Sequence, residues 1–188
     1  TVPVAPKRDR GTGTVSDGPI TNSYWVREGV LATGEYPGAM DPVTTRTKLS
    51  ALLNAGIRLF LDLTEQHELV PYEPVLRRLA AEQNIDVTYR RMPITDVSVP
   101  SVDHMRQVQE VIAEALAADR PVYVHCWGGV GRTGTVVGCW LVENGLTGKE
   151  ALARLAELWQ TMEKRYRKPR TPETWEQEEF VRQWKPRP

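Results

Sequence analysis

The stretch VHCWGGVGRTGT, residues 124–135, sets one cysteine, four glycines and one arginine between two apolar runs. His125 stands directly before Cys126, and Arg132 follows Cys126 by six positions. Ahead of it, PVYVH (121–125) reads as a short apolar strand. Behind it, TVVGCWLV (135–142) is apolar nearly all round and stops at Gly145, the pattern of a helix buried inside a domain. The backbone N–H groups from Trp127 to Arg132 can then curl around one point, and such a nest at a helix N-terminus is an anion site. Glycines at 128, 129 and 131 allow unusual dihedrals and keep side chains out of the cradle.

Outward from this loop, strand and helix patterns alternate. YWV and GVLATG read as two short strands with a turn at Glu28 and Gly29. Asp41 as N-cap and Pro42 at the first helical position open a helix bearing Leu49, Leu52 and Leu53 and ending at Gly56. IRLFLDL (57–63) is a strand, PYEPVLRRLAAEQN a helix, and IDVTYRRMPI the next strand. Ser101 caps a helix with Val102, Met105, Val108, Ile112 and Leu116 near the 3.6 period. Thr147 and Glu150 form a capping box for a helix carrying Leu152, Leu155, Leu158 and Trp159, and a last helix is expected from about Pro172 to Trp184. This alternation predicts one α/β domain over 22–188, with a largely parallel central sheet flanked by helices. Residues 1–21, rich in Pro, Gly, Thr, Asp and Arg, read as a loose tail.

Composition narrows the function classes. Lys and Arg number 24, as do Asp and Glu, so no global field favours nucleic acid, and any electropositive site must be built locally. The two cysteines, Cys126 and Cys139, are too few for a disulfide framework and lack metal-ligand spacing. No apolar run is long enough for a membrane span and no signal pattern opens the sequence, so a cytoplasmic monomer without metal or cofactor is expected.

The anion suited to the cradle is tetrahedral and divalent. Arg132 adds a planar fork that grips two oxygens at once, as a lysine does not. A cysteine at the bottom of such a cradle is placed to react as a thiolate. Attack on phosphorus would form a thiophosphate, with its equatorial oxygens held by the loop N–H groups and Arg132. Asp96, in the proline-bounded stretch MPITDVSVP after a strand, is the expected general acid toward the leaving oxygen and then base toward water. Thr133 is expected to donate its hydroxyl to the sulfur, and His125 to fix the loop through its ring nitrogens.

HCWGGVGRT resembles the signature of the cysteine-dependent protein tyrosine phosphatases: His-Cys, two residues, Gly, two residues, Arg, then Ser or Thr. Asp96 lies thirty residues before Cys126, and PITD looks like the acid loop of the compact dual-specificity branch. Over roughly 24–184 the resemblance implies that family's fold, a two-step metal-free mechanism and phosphomonoester substrates. It implies Cys126 as nucleophile, Arg132 as phosphate clamp, Asp96 as acid and base, and Thr133 and His125 as supports. PETWEQEEFVRQW is similar to the segment where some relatives place a water-orienting glutamine, which makes Gln177 the candidate.

Plainer readings stand beside these. Asp96 near proline also suits a cap or turn, Cys139 suits core packing or a redox partnership with Cys126, and Asp62 or Glu65 suits a turn or a brace for the site. Five basic residues in KRYRKPR (164–170) fit a solvated helix end or a basic rim for multiply charged substrates. The leading expectation is a phosphatase acting on phosphorylated protein or peptide. A phosphoinositide or inositol phosphate phosphatase is the rival, disfavoured by the uncharged Trp127, Gly128, Val130 and Gly131. A non-catalytic phosphoresidue-binding module is disfavoured because the cysteine, arginine and acid are all present. Arsenate reductases and low-molecular-weight phosphatases have the acid after the loop, whereas Asp96 precedes it.

Overall fold

The first two strands, β1 (Ser23–Arg27) and β2 (Leu31–Gly34), pair antiparallel about a turn in which Gly29 takes a φ of 69°. The computed structural model describes residues 17–186. Within the stretch expected as a tail, residues 17–21 fold against β1: Asp17 bridges Tyr24, and the Gly18 N–H donates to the Ser23 carbonyl. The rest of that stretch, 1–16, lies outside the described residues.

After β2 come α1 (Pro42–Asn54), β3 (Leu59–Asp62), α2 (Glu73–Glu82), β4 (Thr88–Arg91), α3 (Val102–Ala117) and β5 (Val122–His125). The chain ends with α4 (Gly131–Glu143), α5 (Gly148–Trp159), a 3-10 turn at Glu163–Tyr166 and α6 (Trp175–Gln183). The sheet order is β1-β2-β5-β3-β4, with every pair except β1·β2 parallel, so the expected α/β architecture is present. Leu49, Leu52 and Leu53 of α1 and Leu76 and Leu79 of α2 bury one sheet face with Phe60 and Tyr123. The other face packs Leu61, Val122 and Val124 against α3, α4, α5 and α6. Between these layers α4 is buried along almost its whole length, which explains a sequence apolar on all sides.

Boundaries differ where local hydrogen bonds override pattern. The last helix starts at Trp175 because the Thr174 hydroxyl accepts from Gln177 N–H while the Gln177 side chain accepts from the Thr174 N–H. Tyr72 stands at the helix start as expected, as the N-cap of α2, and turns its ring into the core.

Parallel pairing decides where chemistry can sit. Gly34, His125, Asp62 and Arg91 lie in one row across the carboxyl edge of the four parallel strands. The loops after β2, β3, β4 and β5 therefore all emerge at this edge, where open α/β sheets bind ligands.

Candidate active site

Residues 126–130 join β5 to α4, and most of the carbonyls of this loop are tied on its outer side. His125 Nδ1 lies 3.2 Å from the Cys126 oxygen, and Tyr36 N–H donates to the Trp127 oxygen at 2.9 Å. Lys164 Nζ donates to the Gly128 oxygen at 3.0 Å, and the Thr171 hydroxyl to the Val130 oxygen at 2.7 Å. In a trans peptide the carbonyl and the following N–H point opposite ways. Anchoring these four oxygens outward turns the N–H groups of Trp127, Gly128, Gly129 and Gly131 toward the concave side. Among the described residues no group accepts from them.

Glycine is required at one of these positions and closely packed at a second. Gly129 takes a φ of 72°, and a Cβ there would stand 2.4 Å from the backbone of Gly34. A Cβ on Gly131 would lie 2.9 Å from Gln177 Oε1. Gly128 has ordinary room, its nearest neighbour being Val130 Cγ2 at 3.5 Å, so the reading of all three glycines holds in full for Gly129 alone and in part for Gly131.

Cys126 is 3% exposed at the start of this loop, and Arg132 is 1% exposed in the first turn of α4. The Arg132 fork is held at several points. Nη1 and Nη2 donate to Glu68 Oε2 and Oε1 at 2.9 and 2.6 Å, Nη1 donates to the Ile94 carbonyl at 3.2 Å, and Nη2 lies 3.1 Å from Asp96 Oδ1. The Arg132 hydrogen bonds hold the Glu68 carboxyl below its ordinary pKa. Two buried donors beside this fork, Arg132 Nε and the Thr133 hydroxyl, have no hydrogen-bond partner among the described residues. Orphaned buried donors are costly, and anionic groups brought into the cradle would satisfy them.

His125 is fully buried under the loop, with Nε2 2.7 Å from the Tyr72 hydroxyl. A carbonyl only accepts, so Nδ1 carries the proton toward the Cys126 oxygen and Nε2 accepts from Tyr72. Burial lowers the His125 pKa, against the opposing pull of Asp62, and the neutral ring fits this tautomer. Asp62 is itself buried. It accepts from Thr64 N–H and the Thr64 hydroxyl at 2.8 and 2.6 Å, from Tyr89 at 2.7 Å and from Arg91 at 3.3 Å. Burial works to raise its pKa, and the hydrogen bonds from Thr64 and Tyr89 act against it, so that it is lowered. Asp62 thus closes a turn onto Thr64 and also braces the strand edge through Tyr89 and Arg91.

The Asp96 carboxylate is 54% exposed at the mouth, followed by Val97 with a φ of 58°, a conformation uncommon for a β-branched residue. Gln177 Nε2 donates to the Ser98 carbonyl at 3.1 Å, while its Oε1 accepts from the Glu173 and Thr174 N–H groups. The amide therefore ties the Asp96 loop to α6 and packs against Gly131. Trp127 is 60% exposed on the rim. Glu68 was not singled out in the sequence, where Glu65 of the same loop TEQHELV was named instead, because neither carboxylate carries a spacing signal; only its place after β3 could have suggested it.

A protein-family model described as "Tc-R-P: Polymorphic toxin system, DSP-PTPase phosphatase" matches residues 35–146, more than half of the chain. The chain belongs to this phosphatase family. Solved structures carry the same fold. Tk-PTP is 24% identical with a TM-score of 0.65, covering 87% of this chain and 93% of its own. PTPMT1, solved in complex with PI(5)P, is 17% identical with a TM-score of 0.62, covering 83% and 90%. Two uncharacterized proteins of Methanocaldococcus jannaschii are 38% and 40% identical over 55 residues, 29% of this chain. The match spans only 35% and 37% of those proteins.

Elsewhere in the phosphatase, Cys139 is fully buried in α4 and burial pushes its thiol well up, as suits core packing. Among the described residues no group of three His, Cys, Asp or Glu side chains is placed to hold a metal ion, and no helix is long and apolar enough to cross a membrane. The basic run 164–170 does not end α5, which stops at Trp159; it covers the end of the 3-10 turn at Glu163–Tyr166 and the loop after it. Its Lys164 pairs with Glu35 at 2.8 Å, Lys168 pairs with Glu173, and Arg170 with Glu178 at 3.4 Å.

Proposed function

We propose that this phosphatase hydrolyses phosphotyrosine or phosphoserine and phosphothreonine esters of proteins through a cysteinyl-phosphate intermediate. The observation that carries this reading is the cradle itself. Inward N–H groups, two orphaned buried donors and a fixed arginine fork surround the loop that begins at Cys126. A phosphoryl group would sit there with its oxygens on the loop N–H groups and Arg132. The Cys126 sulfur would attack phosphorus, the P–O bond to the leaving group would break, and Asp96 would supply the proton to the departing oxygen. Water would then attack the phosphocysteine, Asp96 would take its proton, and the S–P bond would break to release phosphate. Thr133 would support the departing thiolate with its unpartnered hydroxyl. Phosphoryl transfer asks for positioning and charge stabilisation above all, and these are what the loop provides.

His125 would act as a positioning residue through its two ring bonds. Gln177 offers one remaining amide N–H beyond its bond to Ser98, enough to orient a water while it tethers the Asp96 loop. A phosphoinositide substrate is the second reading, supported by the fold shared with PTPMT1 in complex with PI(5)P. Three members of the basic run are already matched by Glu35, Glu173 and Glu178, which speaks for the protein substrate instead. The family description supports reading this domain as the activity-bearing part of a polymorphic toxin system.

The deciding experiment compares kcat/KM for phosphate release from a phosphotyrosine peptide, a phosphothreonine peptide and an inositol polyphosphate, with Cys126→Ser as the blank. Preference for the peptides supports the protein substrate, and preference for the inositol ester overturns it.

A further inference from the structure

Beside the cradle lies a cavity of about 410 Å3 that does not contain Cys126. Its walls come from the loop after β2 (Tyr36, Ala39, Met40), the loop after β3 (Leu69, Val70) and Trp127 of the cradle loop. Met40, Val70 and Trp127 are 86%, 51% and 60% exposed, so a contiguous apolar rim faces solvent next to the phosphate site. The walls are fastened to one another: the Tyr36 hydroxyl donates to the Val70 carbonyl at 2.8 Å, and Tyr36 N–H donates to the Trp127 carbonyl at 2.9 Å. A groove so tied exists before any ligand arrives, and its volume falls in the range of ordinary ligand sites.

We infer that this groove is a specificity subsite for the protein substrate, receiving a large apolar side chain, such as Leu or Phe, that flanks the phosphorylated residue. The inference rests on the protein-substrate reading and adds to it which peptides are chosen.

Continuity places the occupant. Trp127 and Gly128 belong to both the cradle and the groove, so a residue within one or two positions of the phosphoresidue, at 3.8 Å per Cα step, is the part of a peptide that reaches it. Charge decides its chemistry. The ionic groups lining the groove are Glu35, Lys48 and Lys164, and both lysines are spent on the one carboxylate, at 2.9 and 2.8 Å. A second phosphate would meet Glu35 and two lysines already engaged, whereas a Leu or Phe side chain meets Tyr36, Ala39, Met40, Leu69, Val70 and Trp127. Burial there removes apolar surface from water, which favours such a side chain.

The test uses the intact protein and a panel of phosphotyrosine peptides with Leu, Phe, Gly or Asp placed in turn at each of the two positions on either side. The wild type, Met40→Asp and Val70→Asp are compared; both changed residues are exposed, so the fold tolerates them. The expected result is a kcat/KM at least about tenfold higher for Leu or Phe than for Gly at one flanking position, the size of discrimination an apolar pocket gives. That ratio should collapse toward one in both variants. Peptide hydrolysis with no flank preference, or a preference that survives both substitutions, overturns the subsite and leaves the protein-substrate reading standing. Hydrolysis of an inositol polyphosphate or of a phosphoinositide in vesicles, with all peptides refused, overturns that reading and the subsite with it.

Discussion

Arg132 and Glu68 meet in a two-point contact, with both terminal guanidinium nitrogens on both carboxylate oxygens at 2.9 and 2.6 Å. The arginine comes from the first turn of α4 and the glutamate from the loop after β3, so the contact locks two loops of the sheet edge together. It also fixes the plane of the guanidinium before a phosphoryl group arrives, which spares the ordering cost at the moment of binding.

Glu68→Ala should therefore lose kcat/KM by roughly 10- to 100-fold, about 1.4 to 2.7 kcal/mol. It should also destabilise the fold by about 1 to 3 kcal/mol, because a buried guanidinium loses its two-point partner and keeps only Asp96 and backbone carbonyls. Phosphate release and urea unfolding measure the two effects. Wild-type turnover in the variant would show that Arg132 needs no such brace.

Asp96→Asn removes the proton donor proposed for the leaving oxygen. The expected loss is on the order of 10² to 10⁴ for a phosphotyrosine peptide. It should shrink for an aryl phosphate whose phenol is strongly acidic, since such a group departs without a proton. Equal losses across leaving groups would take Asp96 out of the acid role and leave it as a partner of Arg132.

Lys164→Met cuts the tie on the Gly128 carbonyl while keeping a long apolar stem. With the carbonyl released, the Gly129 N–H loses its fixed direction into the cradle. Inhibition by inorganic phosphate should weaken by roughly threefold to tenfold, about 0.7 to 1.4 kcal/mol. An unchanged inhibition constant would mean that Gly34 and Tyr36 hold the loop without help.

Stability should fall on the acid side. Folded His125 has a lowered pKa from burial, so below about pH 6.5 the unfolded chain takes up a proton that the fold refuses. Asp62 and Glu68, also lowered in the fold, keep their contribution above about pH 4 to 4.5 and lose it as pH falls further. The unfolding free energy from urea titration should drop between pH 7 and pH 5, by up to about 1.4 kcal/mol per pH unit for the single proton, and His125→Asn should flatten that drop. An unfolding free energy constant over this interval would argue for a charged His125.

The toxin-system reading carries a cellular prediction. Induced expression of the intact protein in a bacterial host should slow growth, and Cys126→Ser at equal abundance should not. Equal growth of the two strains would count against the active site as the source of toxicity.

The alternation of strands and helices, the buried helix after Gly131 and the Cys126-to-Arg132 loop were legible in the sequence, because each depends on local periodicity or on spacing within one turn. A nest of N–H groups followed by a helix is a local object, and its residues are contiguous. Tertiary structure alone decided the partners. Glu68 meets Arg132, Lys164 meets Gly128, and Tyr72 meets His125 because parallel strands bring loops distant in sequence to one edge of the sheet. The same convergence set Tyr89 and Arg91 against Asp62, and it committed Gln177 to the Ser98 carbonyl as well as its own helix cap. Sequence fixes which chemical groups are available and the local turn that presents them, through forces acting over a few residues. Which carboxylate steadies the arginine and which apolar side chains border the cradle depend on packing between residues tens of positions apart.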